Sequence, residues 1–411
     1  MRNRRKIVIF LYNRLFDQVN QSNFWLYIKD LLEDKNSHYR FHVVSYEDPA
    51  YPLTDEQEAL VEYWKSLGLG WTPLTWHRGK ELGKKFIDLF NGFMVVTKLR
   101  IHGYKYIATL ASIAGTYAYV YSVPLRMRLF MYSFEPHSEY GLDSGWWTKE
   151  SRQYKITHFL EEKAAKSAAV IGSGTVFMQE RLEKVWKSKA KFVKLPTAAN
   201  DEKFVFNEKD RTTVRKELNI PEDAWVLYYP GKFGDLYYRE EFAWMYKWLK
   251  EEDERLHLLI VTPHTDAEVK TLFDVAGVPP EDYTVTHSDY ADIHKYNSAG
   301  DFAIISVPPG PSKKFTSSIK VGEYLCSGLP FLVVRGVSED YIYAEERDVG
   351  VVVEDFSKEE IKKAWPKIRE YLTRDDAALR RHCREVGLEY RGYSRLKLRF
   401  AQALHYLTET E

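Results

Sequence analysis

A lysine and a glutamate stand one turn apart on a short predicted helix that two serines precede. Residues 317–334 read SSIKVGEYLCSGLPFLVV, with Lys320 and Glu323 in the helical part. Free amides at a helix N-terminus attract phosphate, and Ser317 or Ser318 is the predicted cap. A carboxylate one turn further in can accept two hydrogen bonds from a vicinal diol such as ribose. The stretch therefore predicts a nucleotide site, and a plain surface glutamate is the alternative for Glu323 taken alone.

A second candidate site follows a predicted strand at residues 229–234, which read YPGKFG. Gly231 allows the backbone to approach a ligand closely. Lys232 supplies a point charge for phosphate, and Arg239, at the start of the next predicted helix, supplies a second cation. A plain turn between strand and helix is the alternative interpretation.

Other chemical motifs are absent or incomplete. Residues 171–175 read IGSGT and resemble the start of a dinucleotide fingerprint, but Phe177 stands where the fingerprint needs glycine. There is no Walker loop and no nucleophile elbow, and Cys326 and Cys383 lack the spacing of metal ligands. We therefore expect no cofactor. Two thiols in 411 residues are typical of a reducing compartment, which predicts a cytoplasmic protein.

The elements that must position these residues alternate along the chain. Strands are predicted at residues 7–11, 40–45, 104–110, 128–134 and 168–172, and then at 225–229, 256–262, 283–286, 302–307, 330–334 and 350–353. Helices are predicted between them, for example at residues 23–33, 157–165, 239–252, 267–275, 291–298 and 319–327. This alternation predicts parallel sheets covered by helices on both faces. The fold class is therefore α/β, with two doubly wound Rossmann-like domains whose ligands bind at the carboxyl ends of the strands.

The predicted boundary lies in residues 195–200, which precede a polar stretch. It gives an N-terminal domain of residues 1–197 and a C-terminal domain of residues 198–393. An amphipathic helix at residues 394–411 closes the chain and is able to pack back on the first domain or on the second.

Charge is divided unequally between the halves of a chain whose net charge is zero. Residues 1–200 hold 29 Lys and Arg against 20 Asp and Glu. This excess, with Arg126, Arg128 and the region 80–105, favours an anionic partner such as a lipid headgroup, or is a solvated surface. No motif supports nucleic acid binding.

Residues 106–125 are uncharged, but their tyrosines, Gly115 and Pro124 favour a buried helix over a membrane span.

The second half resembles the donor-binding domain of glycosyltransferases with the GT-B fold, and it is most similar to the family-4 retaining group. Residues 318–330, SIKVGEYLCSGLP, match that group's Pro-x-Lys-x-x-Glu-Tyr-hydrophobic-x-x-Gly-x-Pro pattern, with Ser318 in place of proline. Further similar segments lie at residues 195–204, 296–302 and 350–353. The resemblance covers about residues 130–395, and the first 130 residues match only in general pattern.

The resemblance implies two domains facing a cleft, with the N-terminal domain on the acceptor side and the C-terminal domain holding a nucleotide-sugar donor. In the C-terminal domain, Glu323 would hold the ribose hydroxyls. The phosphate ligands would come from Gly231, Lys232, Arg239, Ser317, Ser318 and Lys320. In the N-terminal domain, His137 would contact the transferred sugar, and Glu135 would orient His137 or bind the acceptor.

The implied activity is transfer of a sugar from a nucleotide-diphosphate sugar to an acceptor, with retention and without a metal. The acceptor is a glycan, a lipid-linked molecule or a small molecule in glycan or glycoconjugate synthesis. Peripheral contact with anionic lipid at the inner membrane face is a further expectation.

Two departures from the family pattern leave alternatives open. Phe315 stands where many members have a first glutamate that contacts the sugar, and Arg239 lies two residues beyond the usual second cation. The alternatives are a nucleotide-sugar epimerase or hydrolase on the same fold, and a catalytically silent GT-B scaffold partner.

Overall fold

The predicted alternation of strands and helices is present in the computed structural model, which describes residues 4–17, 20–79, 82–133 and 135–409. Lys80 and Phe134, which belong to segments discussed above, lie outside the described residues. The chain divides into two units: Met1–Leu195 with Lys397–Glu411, and Pro196–Leu396. We refer to them as the first and the second unit.

The first unit is built on a seven-stranded sheet in which every pairing is parallel. Its strands are β1 (Arg5–Phe10), β2 (Tyr39–Glu47), β3 (Gly70–Thr75), β4 (Tyr106–Leu110), β5 (Arg128–Ser133), β6 (Val170–Ser173) and β7 (Lys191–Lys194). Its helices are α1 (Trp25–Glu33), α2 (Asp55–Ser66), α3 (Leu82–Ile101), α4 (Ser112–Ser122), α5 (His137–Asp143), α6 (Arg152–Ser167) and α7 (Val176–Glu180). The strand order is β3-β2-β1-β4-β5-β6-β7, so the order reverses between β1 and β4.

The second unit has a six-stranded parallel sheet of order β10-β9-β8-β11-β12-β13, which reverses between β8 and β11. Its strands are β8 (Trp225–Pro230), β9 (Leu256–Val261), β10 (Tyr283–Thr286), β11 (Phe302–Ile304), β12 (Phe331–Val334) and β13 (Gly350–Val353). The helices are α8 (Glu208–Glu217), α9 (Glu240–Lys250), α10 (Asp266–Ala276), α11 (Ile293–Ala299), α12 (Ile319–Cys326), α13 (Asp340–Glu346), α14 (Lys358–Thr373) and α15 (Asp376–Tyr390). The final helix, α16 (Tyr393–Thr408), begins in this unit and ends in the first.

Continuous apolar runs explain why the central strands form. All six residues of β9 are buried, as are the last four of β1. Such runs are typical of parallel sheets with helices on both faces. All the strands predicted for the second unit are present, and this part of the prediction is confirmed.

The sequence missed the two edge strands of the first sheet, β3 and β7. Pro73 lies within β3, and a proline inside a run argues against a strand unless the strand is at an edge. The four residues of β7 begin and end with lysine, so they lack the apolar run of a central strand.

The uncharged segment 106–125 begins with a strand and continues as a helix. β4 takes its first residues, and α4 starts at Ser112, so the helix is shorter than the segment. In the part of the chain that the structure describes, every helix is too short or too polar to cross a bilayer.

From Lys397 onward, α16 belongs to the first unit. Phe400 lies stacked against Tyr27, with ring centroids 4.7 Å apart, and edge-on to Phe24 at 5.4 Å. Near the end of the helix, Arg5 Nη1 donates to Thr408 Oγ1 at 2.6 Å. The second half of α16 therefore packs into the core of the first unit.

Candidate functional site

The loop after β8 approaches the start of α12 at Gly231. A Cβ atom added at this glycine would lie 2.7 Å from Lys320 Nζ and 2.7 Å from the Tyr229 hydroxyl. Any larger residue would therefore displace the lysine or the tyrosine. The backbone of the loop is anchored to the sheet, because the Gly231 amide donates to the carbonyl of Val261 at 2.9 Å.

The two cations predicted on this loop are both exposed. Lys232 is held through its carbonyl, which accepts a hydrogen bond from the Tyr229 hydroxyl. Arg239 occupies the N-cap position of α9, and its amide donates to Glu241 Oε2 at 3.2 Å. The structure thus places each cation on the surface of the loop that follows β8.

The two serines before α12 have different roles. Ser318 occupies the N-cap position, but its side chain makes no capping hydrogen bond. The hydroxyl of Ser317 is buried, where it accepts from the Thr197 amide at 3.0 Å and from Arg391 Nη1 at 2.7 Å. The Ser317 hydroxyl therefore fastens residues 196–201 within the second unit, a role that the sequence did not predict.

Arg391 makes several of the contacts that hold this segment in place. It is fully buried, and its Nη2 lies 2.5 Å from Asp340 Oδ1. Its carbonyl accepts from the Ala199 amide at 2.9 Å, so the segment before α16 is tied to the segment after β7. A buried charge pair of this kind is costly to break on one side, because the remaining charge is left unpaired.

Glu323 is buried on α12. The Tyr290 hydroxyl donates to its Oε1 at 2.7 Å, and Tyr290 is the only hydrogen-bond donor to this carboxylate among the residues that the structure describes. Burial raises the pKa of Glu323 to about 7, against the opposing effects of the Tyr290 hydrogen bond and the Lys320 charge. The carboxylate therefore keeps acceptor capacity for a ligand, since a carboxylate has about four lone-pair sites.

Lys320 lies one turn before Glu323 and is surrounded by aromatic rings. Its Nζ is 4.6 Å from the ring centroid of Tyr237 and 5.4 Å from that of Tyr229. Burial lowers the pKa of Lys320 to about 8, although the Glu323 charge acts in the other direction. A half-buried ammonium beside free helix amides can stabilise a diphosphate.

His137 and Glu135 lie after β5 in the first unit. His137 is the first residue of α5, with its ring 5.5 Å from the Trp147 ring, and burial lowers the pKa of this histidine. The carbonyl of Glu135 accepts a hydrogen bond from the Ser112 hydroxyl. The structure thus places the His137 imidazole at the carboxyl end of the first sheet, where burial favours its neutral form.

A buried glutamate that the sequence did not reveal supports His137. Glu161 Oε1 accepts from the His137 amide at 2.6 Å, and Oε2 accepts from the Ser138 hydroxyl at 2.5 Å. Burial raises the pKa of Glu161 to about 7, against the opposing effect of these hydrogen bonds. Glu161 therefore serves as a carboxylate cap for α5.

Asp301, in the segment 296–302, forms hydrogen bonds and ion pairs within the second unit. Asp301 lies 2.6 Å from Arg211 and 2.7 Å from Arg215, and it accepts from the Val226 amide at 2.7 Å. It thereby joins α8 to the sheet. No group of three or more His, Cys, Asp or Glu that could hold a metal ion occurs among the described residues.

Comparisons with known proteins bear on the fold. No protein-family model matches the chain, and no curated protein matches its sequence. Several solved structures do resemble it over nearly their whole length. Sucrose-phosphate synthase from Thermosynechococcus elongatus is 15% identical, with a TM-score of 0.70 over 98% of this chain and 99% of that one.

Two further solved structures agree. A glycosyltransferase from Rickettsia africae is 12% identical, with a TM-score of 0.71 over 100% of both chains. HepE of Anabaena, solved in complex with UDP, is 12% identical, with a TM-score of 0.69 over 97% of this chain and 99% of that one. At this identity the likeness establishes the fold. The prediction is confirmed: the chain has the two-domain α/β architecture of GT-B glycosyltransferases.

Proposed function

We propose that the protein is a glycosyltransferase that moves a sugar from a nucleotide-diphosphate sugar to an acceptor. The observation that carries the proposal is the pair Lys320 and Glu323, placed on one helix beside Gly231 at the carboxyl ends of β8 and β11. This is the edge of an open parallel sheet where ligands bind. HepE, which shares the fold, has been solved with UDP and with UDP-glucose.

In the proposed mechanism the donor lies with its ribose on the Glu323 carboxylate. Its diphosphate lies against Lys320, the first amides of α12 and the backbone at Gly231, with Lys232 and Arg239 at the outer side. Positive charge and helix amides stabilise the negative charge that develops on the leaving diphosphate. This arrangement would do the work that a metal ion does elsewhere, so the proposed transfer is independent of metal.

We propose transfer with retention. The acceptor oxygen forms a bond to the anomeric carbon on the face from which the diphosphate departs, and the bond from that carbon to the phosphate oxygen breaks. The acceptor proton passes to an oxygen of the leaving diphosphate. His137 is proposed to hydrogen-bond the transferred sugar, and Glu135 is proposed as the residue that orients the histidine or meets the acceptor.

The proposed setting is glycan or glycoconjugate synthesis in the cytoplasm, with peripheral contact at the inner membrane face. Cys326 and Cys383 are both free and buried, as suits a reducing compartment. The basic excess of residues 1–200 supports contact with an anionic surface.

Calorimetric titration with UDP, GDP, ADP and dTDP, with and without magnesium, tests the donor site. We expect one nucleotide to bind without metal, and Glu323→Ala to weaken that binding by about 1–3 kcal/mol, because the diol loses a buried acceptor. Glu346→Ala is the control, since Glu346 is an exposed glutamate on α13. Failure of all four nucleotides to bind would reject the proposal in favour of the silent scaffold, which Phe315 at the usual first-glutamate position supports.

A turnover assay separates transfer from the other enzymatic alternative. The nucleotide-sugar whose base binds is incubated with the protein, and release of nucleoside diphosphate is followed with and without added acceptor. Release that requires the acceptor supports transfer. Sugar release or epimerisation at full rate without acceptor would assign the protein as a hydrolase or an epimerase on the same fold.

A further inference from the structure

A pocket of about 270 Å³ in the first unit is lined by aromatic and charged side chains, and none of the candidate site residues described above lines it. Its lining follows the carboxyl ends of three adjacent strands: Tyr12 and Asn13 after β1, Asp48 after β2 and Trp76 after β3. These ends form the ligand-binding edge of a doubly wound sheet. Aromatic faces beside hydroxyl-binding side chains suit a hydroxylated head group such as a sugar.

Two cations, Arg14 and Lys85, line this pocket, and Lys85 is held in a fixed place. Lys85 Nζ lies 3.6 Å from Asp88 Oδ2, donates to the His77 carbonyl at 3.0 Å and lies 4.9 Å from the Trp76 ring centroid. Asp88 is fully buried and is also bound by His77 Nδ1 at 2.6 Å and by the Tyr12 hydroxyl at 3.2 Å. The ammonium group is thus oriented before any ligand arrives.

An apolar groove of about 550 Å³ adjoins the pocket. It lies between α3 and α4, with Phe86 and Leu89 on one side and Tyr117 and Val120 on the other. Lys85 lines both the pocket and the groove. The pocket and the groove therefore share Lys85 as a lining residue, so an amphipathic anion bound at this cation can contact both.

The outward face of α3 is apolar and basic. Its exposed large side chains are Phe86, Ile87, Phe90, Met94 and Ile101. Phe86 is 67% exposed and Ile101 is 80% exposed. Asp88 is the only acidic residue of this helix, and it is buried, whereas Lys84 and Lys98 are exposed.

A surface of this composition is unusual for a helix that meets water, since exposed apolar patches mark sites of interaction. The neighbouring α6 adds Ile156 and Phe159, each 55% exposed. Lysines among large apolar residues, with no exposed carboxylate on α3, are complementary to the anionic headgroups and acyl chains of a membrane.

We propose that the acceptor is a lipid-linked anionic saccharide bound by the first unit. Its sugar occupies the pocket after β1, β2 and β3, its phosphate meets Lys85, and its hydrocarbon chain follows the groove between α3 and α4 to a membrane on which the outward face of α3 rests. The identification of this ligand as the acceptor rests on the proposed function, whereas the binding of the ligand to the first unit does not depend on that function.

Three probes test the binding by calorimetry below the critical micelle concentration: glucosyl dodecyl phosphate, dodecyl glucoside without phosphate, and glucose 1-phosphate without a chain. We expect glucosyl dodecyl phosphate to bind at least about tenfold more tightly than either partial probe, because only it fills pocket, cation and groove. Phe86→Ser is expected to weaken only the two probes with a chain, and Lys85→Gln only the two with a phosphate. Equal affinity for glucose 1-phosphate and glucosyl dodecyl phosphate would overturn the proposal.

Leu398→Ser is the matched control, because Leu398 is an apolar side chain 68% exposed on α16. Lys85→Arg keeps the charge and is expected to restore phosphate affinity if Lys85→Gln reduces it. The nucleotide titration of the second unit is measured on the same variants. Failure of the wild-type protein to bind glucosyl dodecyl phosphate, with its nucleotide binding intact, rejects this inference alone, and probe binding without nucleotide binding rejects the proposed function alone.

Flotation with vesicles tests the membrane surface. We expect binding to vesicles of equal parts phosphatidylcholine and phosphatidylglycerol, little binding to phosphatidylcholine alone, and loss of binding in a Phe86→Ser, Phe90→Ser double variant. Absence of the protein from both kinds of vesicle, or an equal loss for Leu398→Ser, would overturn the role of α3, and the face would then be assigned to a protein partner.

Discussion

Glu161 in the first unit and Glu323 in the second are both buried carboxylates, yet they differ in the hydrogen bonds that they accept. They are 2% and 4% exposed, and burial raises the pKa of each to about 7. Both oxygens of Glu161 accept hydrogen bonds from the start of α5, whereas Glu323 receives one from Tyr290. Burial alone therefore does not mark a binding site. The unused acceptor capacity of Glu323 is the feature that supports the proposed nucleotide site.

The largest effect that tests this comparison is on stability. Glu161→Ala leaves the amides of His137 and Ser138 and the Ser138 hydroxyl without their acceptor, so we expect a loss of about 3 kcal/mol in the first unit. Thermal unfolding measures this loss, with Glu162→Ala as a control, because Glu162 forms a surface ion pair with Lys166. Nucleotide affinity is expected to stay unchanged. A variant of wild-type stability would mean that Glu161 is not a structural cap.

The next effect concerns the space around Lys320. Gly231→Ala places a Cβ atom 2.7 Å from Lys320 Nζ, so the ammonium must move away from the diphosphate. Overpacking of this size costs about 1–3 kcal/mol, and we expect a similar loss of nucleotide affinity by calorimetry. Gly277→Ala is the comparison for general strain, since Gly277 has positive φ with open space around it. Equal losses in both variants would show that Gly231 has no special role.

A pH titration distinguishes the two glutamates directly. In the proposed site a diol binds the ionised carboxylate of Glu323, whose pKa is raised to about 7, so nucleotide affinity is expected to fall by about tenfold per pH unit below that value. Above about pH 8 it falls again, because Lys320, whose pKa is lowered to about 8, loses its charge. Glu323→Gln is expected to abolish the loss of nucleotide affinity at low pH, the acid limb of the profile, and Glu161→Gln is expected to keep it. An acid limb that survives in Glu323→Gln would assign it to another group.

The same raised pKa has a consequence for stability without ligand. The native state holds the Glu323 proton more tightly than the unfolded state does, so stability is lost as pH rises from about 4.5 to about 7. At pH 8 the free energy of unfolding of Glu323→Gln is therefore expected to exceed that of the wild type by about 1 kcal/mol or more. Its melting temperature is expected to be higher accordingly. Equal melting temperatures at pH 8 would show that the carboxylate is not desolvated in the free protein.

The smallest effect is expected at the exposed cation Arg239. Arg239→Ala should weaken nucleotide binding by less than about 1 kcal/mol, because exposed charges are well solvated and screened. Calorimetry at low and high salt measures the difference. A loss as large as that of Glu323→Ala would mean that Arg239 becomes buried against the diphosphate when the donor binds.

The features that the sequence predicted are those that depend on residues close together in the chain. The apolar runs of the second sheet, and a lysine and a carboxylate one turn apart on α12, are visible because strand and helix periodicity act over a few residues. The roles of Tyr290, Arg391 and Glu161 were missed, since each acts on a residue more than twenty positions away. The hydroxyl of Ser317 illustrates the limit: its type suggested a phosphate ligand, but tertiary contacts occupy it.

The passage of α16 from the second unit into the first bears on how the protein is made. Residues up to Leu195 leave the ribosome first, but Phe24 and Tyr27 gain their partner Phe400 only after the intervening 196–396 have been synthesised. At 5–20 residues per second this interval lasts about 10–40 s. During that time Phe24 and Tyr27 lack this aromatic partner, so a stop codon before the codon for Phe400 would weaken the packing of the domain that is synthesised first.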